Sequence, residues 1–318
     1  MNKNETHQSL IIHCRCNFSH MIMGTYNMVL SCHFQRENYP RLSYPIIIKG
    51  NLKEKGTKFF IKRYDLNLYI FYEITELIIT DYFAYFKYHI YKTIPEIGEY
   101  YYILEVRYIN EDQCDFFVCF VYDHKYYLSE KEIHQEIQFR KNLYKNIERS
   151  LRNFEILKIS TVYTTINSSI VLIFDVLKNM KMINKYSRLL SNSINYEGKT
   201  LKKDTIIHLI DFIGKFKYES IAKVNKCTIV QTKLAKKGII ELLFKNNKKS
   251  LSYSSKTKII IVIYEYNGFC TIYILYFFYH IQKNKENFLN FTKNKNYELL
   301  KFKKIIENYN QTLYNIFS

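Results

Sequence analysis

One eight-residue pattern occurs twice, and it constrains the chain more than any other feature. Residues 50–57 read Gly-Asn-Leu-Lys-Glu-Lys-Gly-Thr, and residues 198–205 read Gly-Lys-Thr-Leu-Lys-Lys-Asp-Thr. Each starts with Gly, ends with Thr, is basic in the middle and leads into a β-rich run. Aligning the two brings further landmarks into the same order. Glu37-Asn-Tyr-Pro-Arg-Leu42 stands opposite Asn184-Lys-Tyr-Ser-Arg-Leu189, and Tyr72-Glu73 opposite Tyr218-Glu219. Cys114-Asp-Phe-Phe-Val-Cys-Phe-Val-Tyr122 runs beside Cys270-Thr-Ile-Tyr-Ile-Leu-Tyr-Phe-Phe278, and Phe139-Arg-Lys141 matches Phe302-Lys-Lys304. The chain reads as a tandem duplication, and 318 residues suit two domains of ordinary size.

Within each copy the hydrophobic period is mostly that of strands. In the first, residues 10–18, 46–48, 59–61, 68–79, 82–94, 100–109 and 116–122 are dense in β-formers, and residues 1–8 read as a frayed tail. Short turn-forming breaks between them imply an antiparallel meander. Ser129 and Glu132 form a capping box. Behind them Ile133, Ile137, Tyr144, Ile147, Leu151 and Phe154 recur at helical spacing, a helix of about seven turns. The second copy predicts strands over 156–165, 206–212, 238–244, 259–266 and 269–281. Ser169 and its neighbours cap an apolar helical run over 170–180, and Asn267-Gly268 is a type I′ hairpin signal. A closing helix over 297–317 carries the stripe Leu299, Phe302, Ile306, Tyr309, Leu313 and Ile316.

Composition limits the partners. The formal net charge of +18 fits an anionic partner, either nucleic acid or an acidic membrane surface, and equally a solvated basic face. Lys199, Lys202 and Lys203 lie in the densest basic group, where head groups of an anionic membrane would be met. The 31 Tyr and 23 Phe accompany abundant Ile, Lys and Asn, all with AT-rich codons, so aromatic content alone is no functional signal. Of seven cysteines, most sit in apolar, strand-like runs, which suits a reducing compartment. The polar N-terminus does not read as a targeting peptide, and the apolar run 259–281 is interrupted by Glu265, Asn267 and Gly268, so no transmembrane segment is expected and the location is cytoplasmic.

Catalytic signals are weak. His13-Cys-Arg-Cys16 with Cys32-His33 lacks the spacing of a common zinc module, and no metal or cofactor is expected. Glu73 with Glu76, and Glu105 with Arg107, suit an outer face or ion pairs better than acid–base work. Phosphate-loop, dinucleotide and nucleophile-elbow motifs are absent from the sequence.

The order strand, short helical segment, meander, long helix resembles the START-like helix-grip superfamily. That superfamily includes START lipid-transfer domains, the birch-pollen-allergen family, polyketide cyclases and the coenzyme Q-binding proteins. The resemblance covers residues 9–155, with degenerate N-terminal helices, and 156–318. It rests on element order, the glycine-lysine turn and the closing helix, without a signature motif. It implies an α+β chain of two helix-grip domains, each a curved antiparallel sheet wrapped around a long C-terminal helix with an apolar cavity between. It also implies non-catalytic binding or transfer of a hydrophobic ligand such as a lipid, sterol or isoprenoid. Phe302, Ile306, Tyr309 and Leu313 would line the second cavity, and Tyr144, Ile147 and Leu151 the first. A structural or interaction protein with a closed interior, and a basic nucleic-acid-binding protein, are the alternatives.

Overall fold

A computed structural model describes residues 5–14, 42–64, 66–96, 98–111, 113–123, 134–135, 138, 141–142, 145, 157–185, 187–190, 193–213, 216–231, 234–244, 255–279 and 285–317. The chain divides into two compact units, residues 1–154 and 155–318.

The first unit holds β1 (Glu5–Cys14), β2 (Ile46–Lys49), β3 (Lys58–Arg63), β4 (Leu68–Ile79), β5 (Phe83–Ile94), β6 (Tyr100–Asn110) and β7 (Gln113–Asp123). They form one antiparallel sheet in the order β1-β7-β6-β5-β4-β3-β2. The second unit holds β8 (Leu157–Ile166), α1 (Ile170–Lys178), α2 (Met180–Ile183), β9 (Ser193–Tyr196), β10 (Ile206–Ile213), β11 (Phe216–Gln231), β12 (Lys236–Phe244), β13 (Ser255–Tyr266), β14 (Phe269–Tyr279) and α3 (Lys285–Phe317). Its sheet has the order β8-β14-β13-β12-β11-β10-β9, the first order repeated strand for strand.

The repeat extends to single hydrogen bonds. The two Gly-to-Thr turns join β2 to β3 and β9 to β10. Gly56 N–H donates to the Ile74 carbonyl at 2.7 Å, and Asp204 N–H to that of Val224 at 2.7 Å. Gly50 and Gly198 both sit at φ 84°, in the left-handed region that glycine enters without a Cβ penalty. Just past Ile74 and Val224 each sheet carries the same β-bulge, between Ile74 and Glu76 and between Val224 and Lys226. Both sheets curl, and bulges sharpen bend and twist of this kind.

Strand alternation sets the faces. On β5, Ala84, Phe86, Tyr88 and Ile90 are buried, while Phe83, Tyr85, Lys87 and His89 between them are partly exposed. Asn267 and Gly268 turn the β13–β14 hairpin with φ 49° and 78°, as the dipeptide requires. Ser169 Oγ accepts from Leu172 N–H at 3.3 Å and Glu265 Oε2 from Ile170 N–H at 2.7 Å, so two orphan donors of α1 are satisfied. In the first unit, His134, Gln135, Gln138, Lys141, Asn142 and Lys145 are helical, all but Lys141 are exposed, and their helical spacing places them on one face.

Several expectations change. Residues 5–8 belong to β1, where Glu5 pairs Asp123, rather than to a frayed tail. Tyr218-Glu219 is not the counterpart of Tyr72-Glu73. Tyr72 pairs Phe59 and Ala222 pairs Ile207, so Ala222 holds the Tyr72 position and the matched dipeptides sit four residues out of step. The sequence showed little of β11, a 16-residue strand on which only Ala222 and Val224 are buried over 221–231, and nothing of β9. The closing helix starts at Lys285, a dozen residues before the expected start. The degenerate helices expected near the start of the first copy fall within residues 21–41, and these, with Tyr144, Ile147 and Leu151, lie outside the described residues. Tyr309 and Leu313 continue α3, beyond the part whose side chains are described. Among the described residues no helix is long and apolar enough to cross a membrane.

Candidate ligand-binding interior

In the second unit α3 lies against the sheet and buries Leu299, Phe302 and Ile306, with Phe302 and Ile306 at 0% exposure. The spacing of these three residues follows helical period, so one stripe meets the sheet. They join one core with Leu242, Ile261 and Ile274 from the strands and Ile170, Phe174 and Leu177 from α1. Gly238 on β12 lets α1 approach, because a Cβ there would stand 3.0 Å from Cδ2 of Phe174. The turn after β9 is tied to the other end of α1, where Leu201 N–H donates to the Lys178 carbonyl at 2.8 Å. Leu201 is itself fully buried. That turn is therefore packed onto α1, and Lys199, Lys202 and Lys203 are exposed on it beside Thr200 and Asp204, which pairs with Lys223 at 2.7 Å.

This interior is mostly aliphatic, with Phe174, Tyr196, Phe244 and Phe302 set into it, and polar groups gather near the start of α3. There Ser160 Oγ and Thr292 Oγ1 lie 2.8 Å apart. Ser160 is the register partner of Tyr276, whose hydroxyl donates to the Leu189 carbonyl at 2.6 Å. Lys295 Nζ donates to the Arg188 carbonyl at 2.7 Å and lies near the rings of Phe291 and Tyr276. Burial pushes the Lys295 ammonium down to about 8, a shift only partly offset by the Glu298 carboxylate. Burial likewise pushes the Tyr276 hydroxyl well up. Glu298 is committed elsewhere: its Oε2 accepts from Arg188 N–H at 2.7 Å and its Oε1 from Lys301 Nζ at 3.1 Å.

The first unit is more aromatic at the matching positions. Phe59, Tyr72, Tyr88, Tyr102 and Phe120 form a buried row across β3 to β7. Phe59 stacks on Tyr72 at 5.0 Å, Tyr88 on Tyr102 at 5.8 Å, and Tyr102 meets Phe120 at 5.3 Å. Register places Ile207, Ala222, Leu242, Ile259 and Tyr276 at those positions in the second unit. Burial, then the neighbouring Tyr102 and Tyr72, raise the Tyr88 hydroxyl far above its ordinary value.

The carboxylates considered for catalysis are held in ion pairs: Glu73 with Lys58 at 3.2 Å, Glu76 with Lys87 at 3.2 Å and Glu105 with Arg107 at 2.6 Å. His13 Nδ1 lies 2.8 Å from Asp115 Oδ1 and is exposed. Among the described residues no group of three or more His, Cys, Asp or Glu is placed to hold a metal. Of the residues expected to contact ligand, Phe302 and Ile306 come together in the second interior. Lys295, Thr292, Ser160 and Tyr276 were missed. A signal for Lys295 existed, since it stands four residues before Leu299 on the same stripe, but the helix was expected to start after it.

The chain is thus a tandem of two seven-stranded antiparallel units of one topology, the second closed by a long helix. No family model and no curated protein matches it. Among solved structures it is similar to the di-domain ARO/CYC StfQ from the steffimycin biosynthetic pathway. That match has 6% identity over 96% of this chain and 99% of the other, with a TM-score of 0.42. Ara h 8.0201 matches at 11% identity over 47% of this chain and 99% of its own, with a TM-score of 0.40. Major latex-like protein 151 from Panax ginseng matches at 11% over 46% and 97%, with a TM-score of 0.37. These are Bet v 1-like proteins and a di-domain cyclase. With TM-scores below 0.5, the architecture stands on the strand order and hydrogen bonds above.

Proposed function

We propose that the two units are helix-grip domains, over residues 9–155 and 156–318, and that the chain binds an apolar small molecule or lipid between sheet and helix without catalysing its conversion. One observation carries the reading. An apolar interior covered by Phe302 and Ile306 holds a few polar groups, Ser160, Thr292, Tyr276 and Lys295, at one end. Binding sites for apolar ligands have this composition: mostly hydrophobic lining with a few polar groups that fix orientation. In the first unit the carboxylates weighed for acid–base work are held by Lys58, Lys87 and Arg107, as the sequence expectation of ion pairs has it. The same reading assigns Lys199, Lys202 and Lys203 to peripheral contact with an anionic membrane. Gentle purification followed by native mass spectrometry and organic extraction tests the binding. A co-purifying apolar molecule is expected; a ligand-free protein that also fails to take up fluorescent apolar probes would overturn the proposal.

A further inference from the structure

Lys295 belongs to the inward stripe of α3, yet it carries an ammonium. Its residue is 6% exposed. Of its three donors, one is spent on a neutral acceptor, the Arg188 carbonyl at 2.7 Å. The rings of Phe291 and Tyr276 lie at 5.5 and 5.9 Å from Nζ. The nearest acid along the helix, Glu298, has its two oxygens engaged by Arg188 N–H and Lys301 Nζ. Among the described residues no carboxylate lies within salt-bridge distance of Nζ. A buried ammonium without a counter-ion is costly, and its lowered pKa of about 8 reflects that cost.

The surroundings show what would supply the missing charge. Thr292, one turn before Lys295 on the helix, has its hydroxyl 2.8 Å from that of Ser160, the register partner of Tyr276. Beyond Lys295 the stripe continues through Leu299, Phe302 and Ile306 into the apolar core. A charged donor is therefore followed, along one line, by apolar surface. A molecule with an anionic head and a long apolar body matches that order.

We infer that the second unit selects an apolar carboxylic acid, with the carboxylate paired to the Lys295 ammonium and the hydrocarbon body running along Phe302 and Ile306. This rests on the apolar-ligand reading and narrows it to one ligand charge. The first unit has an aromatic row where the second is mostly aliphatic, so the two copies differ in what they hold.

The test uses the full chain, a dansyl-labelled fatty acid and the methyl ester of the same probe, followed by fluorescence titration below pH 8. The acid should bind about tenfold or more tighter than the ester, the discrimination that one charge-assisted hydrogen bond supplies. In Lys295→Met, which keeps the unbranched chain as far as Cε and removes the ammonium, acid and ester should bind alike, at the ester's wild-type affinity. Equal wild-type affinities for acid and ester would overturn the carboxylate assignment while leaving apolar binding intact. An acid preference that survives in Lys295→Met would place the anion elsewhere and also overturn it. Uptake of neither probe removes the apolar-ligand reading, and this inference with it.

Discussion

The backbone N–H of Val224 donates to the carbonyl of Thr205 at 2.9 Å, and in the first unit Ile74 makes the same bond to Thr57 at 2.9 Å. The bond fastens the glycine turn of each copy to the strand beside it, immediately before the β-bulge. The threonine is kept at both places because its hydroxyl also closes the turn. Thr57 Oγ1 accepts from Asn51 N–H at 3.0 Å and donates to the Asn51 carbonyl, while Thr205 Oγ1 accepts from Lys202 N–H at 3.0 Å. Thr57 is almost wholly buried. Thr57→Val should therefore cost about 1–3 kcal/mol, because Asn51 loses its partner out of water, and Thr205→Val about 0.5–1 kcal/mol. Urea denaturation of the two variants checks the order; a larger loss at Thr205 would contradict it.

At Gly238 α1 packs close against the sheet. An added Cβ would meet Phe174 at 3.0 and 3.2 Å and Ile170 Cδ1 at 3.3 Å. The register twin in the first unit is Ala84. Glycine in a strand is intrinsically unfavourable, so alanine would help if space allowed. Close packing against a ring dictates the opposite sign: Gly238→Ala should lose about 1–3 kcal/mol and Gly238→Val more. A melting temperature that rises in Gly238→Ala would show that α1 does not hold this position.

Stability should depend on pH through Lys295. Its folded-state pKa is about 8 against an ordinary 10.5, so between those values the unfolded chain binds more protons than the folded one. Stability then rises with pH from about 8 towards 10.5, and the full burial cost applies below 8. The groups facing Nζ are Tyr276, Glu298 and the Arg188 carbonyl. Tyr276 and Tyr88 act the other way near pH 10. Their raised hydroxyls stay protonated in the fold while unfolded tyrosine ionises. The measurement is thus the difference between wild type and Lys295→Met in denaturation series from pH 7 to 10. Lys295→Met should be the more stable protein at pH 7, with the gap narrowing as pH rises; parallel curves would contradict the assignment.

Lys199, Lys202 and Lys203 are exposed on a turn anchored by buried Leu201. Replacing the three with Glu should leave stability within about 0.5 kcal/mol for each change. Each lysine near an anionic surface contributes about 1 kcal/mol, so co-sedimentation with phosphatidylserine vesicles should fall steeply and binding to neutral vesicles should stay unchanged. An unaltered vesicle affinity would dissociate this turn from membranes. Oligonucleotide binding in the same variants, titrated against salt, distinguishes the nucleic-acid alternative.

How legible the chain was depended on the range of each signal. The strand over 68–79 and the hairpin at Asn267-Gly268 could be read directly, because alternation and turn chemistry are written in adjacent residues. The Cys114–Cys270 match survives, since both cysteines are fully buried at the start of equivalent strands. The Tyr72–Tyr218 match failed, because in a chain so rich in tyrosine a shared dipeptide does not fix register. Much of β11 carries Lys, Asn, Ser and Thr, and it reads as loop until its neighbours β10 and β12 supply its hydrogen bonds.

The sequence by itself determined that there are two copies, that each is an antiparallel meander, and that a long amphipathic helix ends the chain. All three follow from local periodicity and from patterns repeated along the chain. Only the tertiary structure decided the partners. Strand pairing aligned Phe59, Tyr72, Tyr88, Tyr102 and Phe120 into an aromatic row and put Ile207, Ala222, Leu242, Ile259 and Tyr276 in their place in the other copy. Packing of α3 turned an ordinary surface residue type, Lys295, into a buried ammonium beside a carbonyl far away in the chain. Burial and pairing are properties of residues distant in sequence, and no local pattern encodes them.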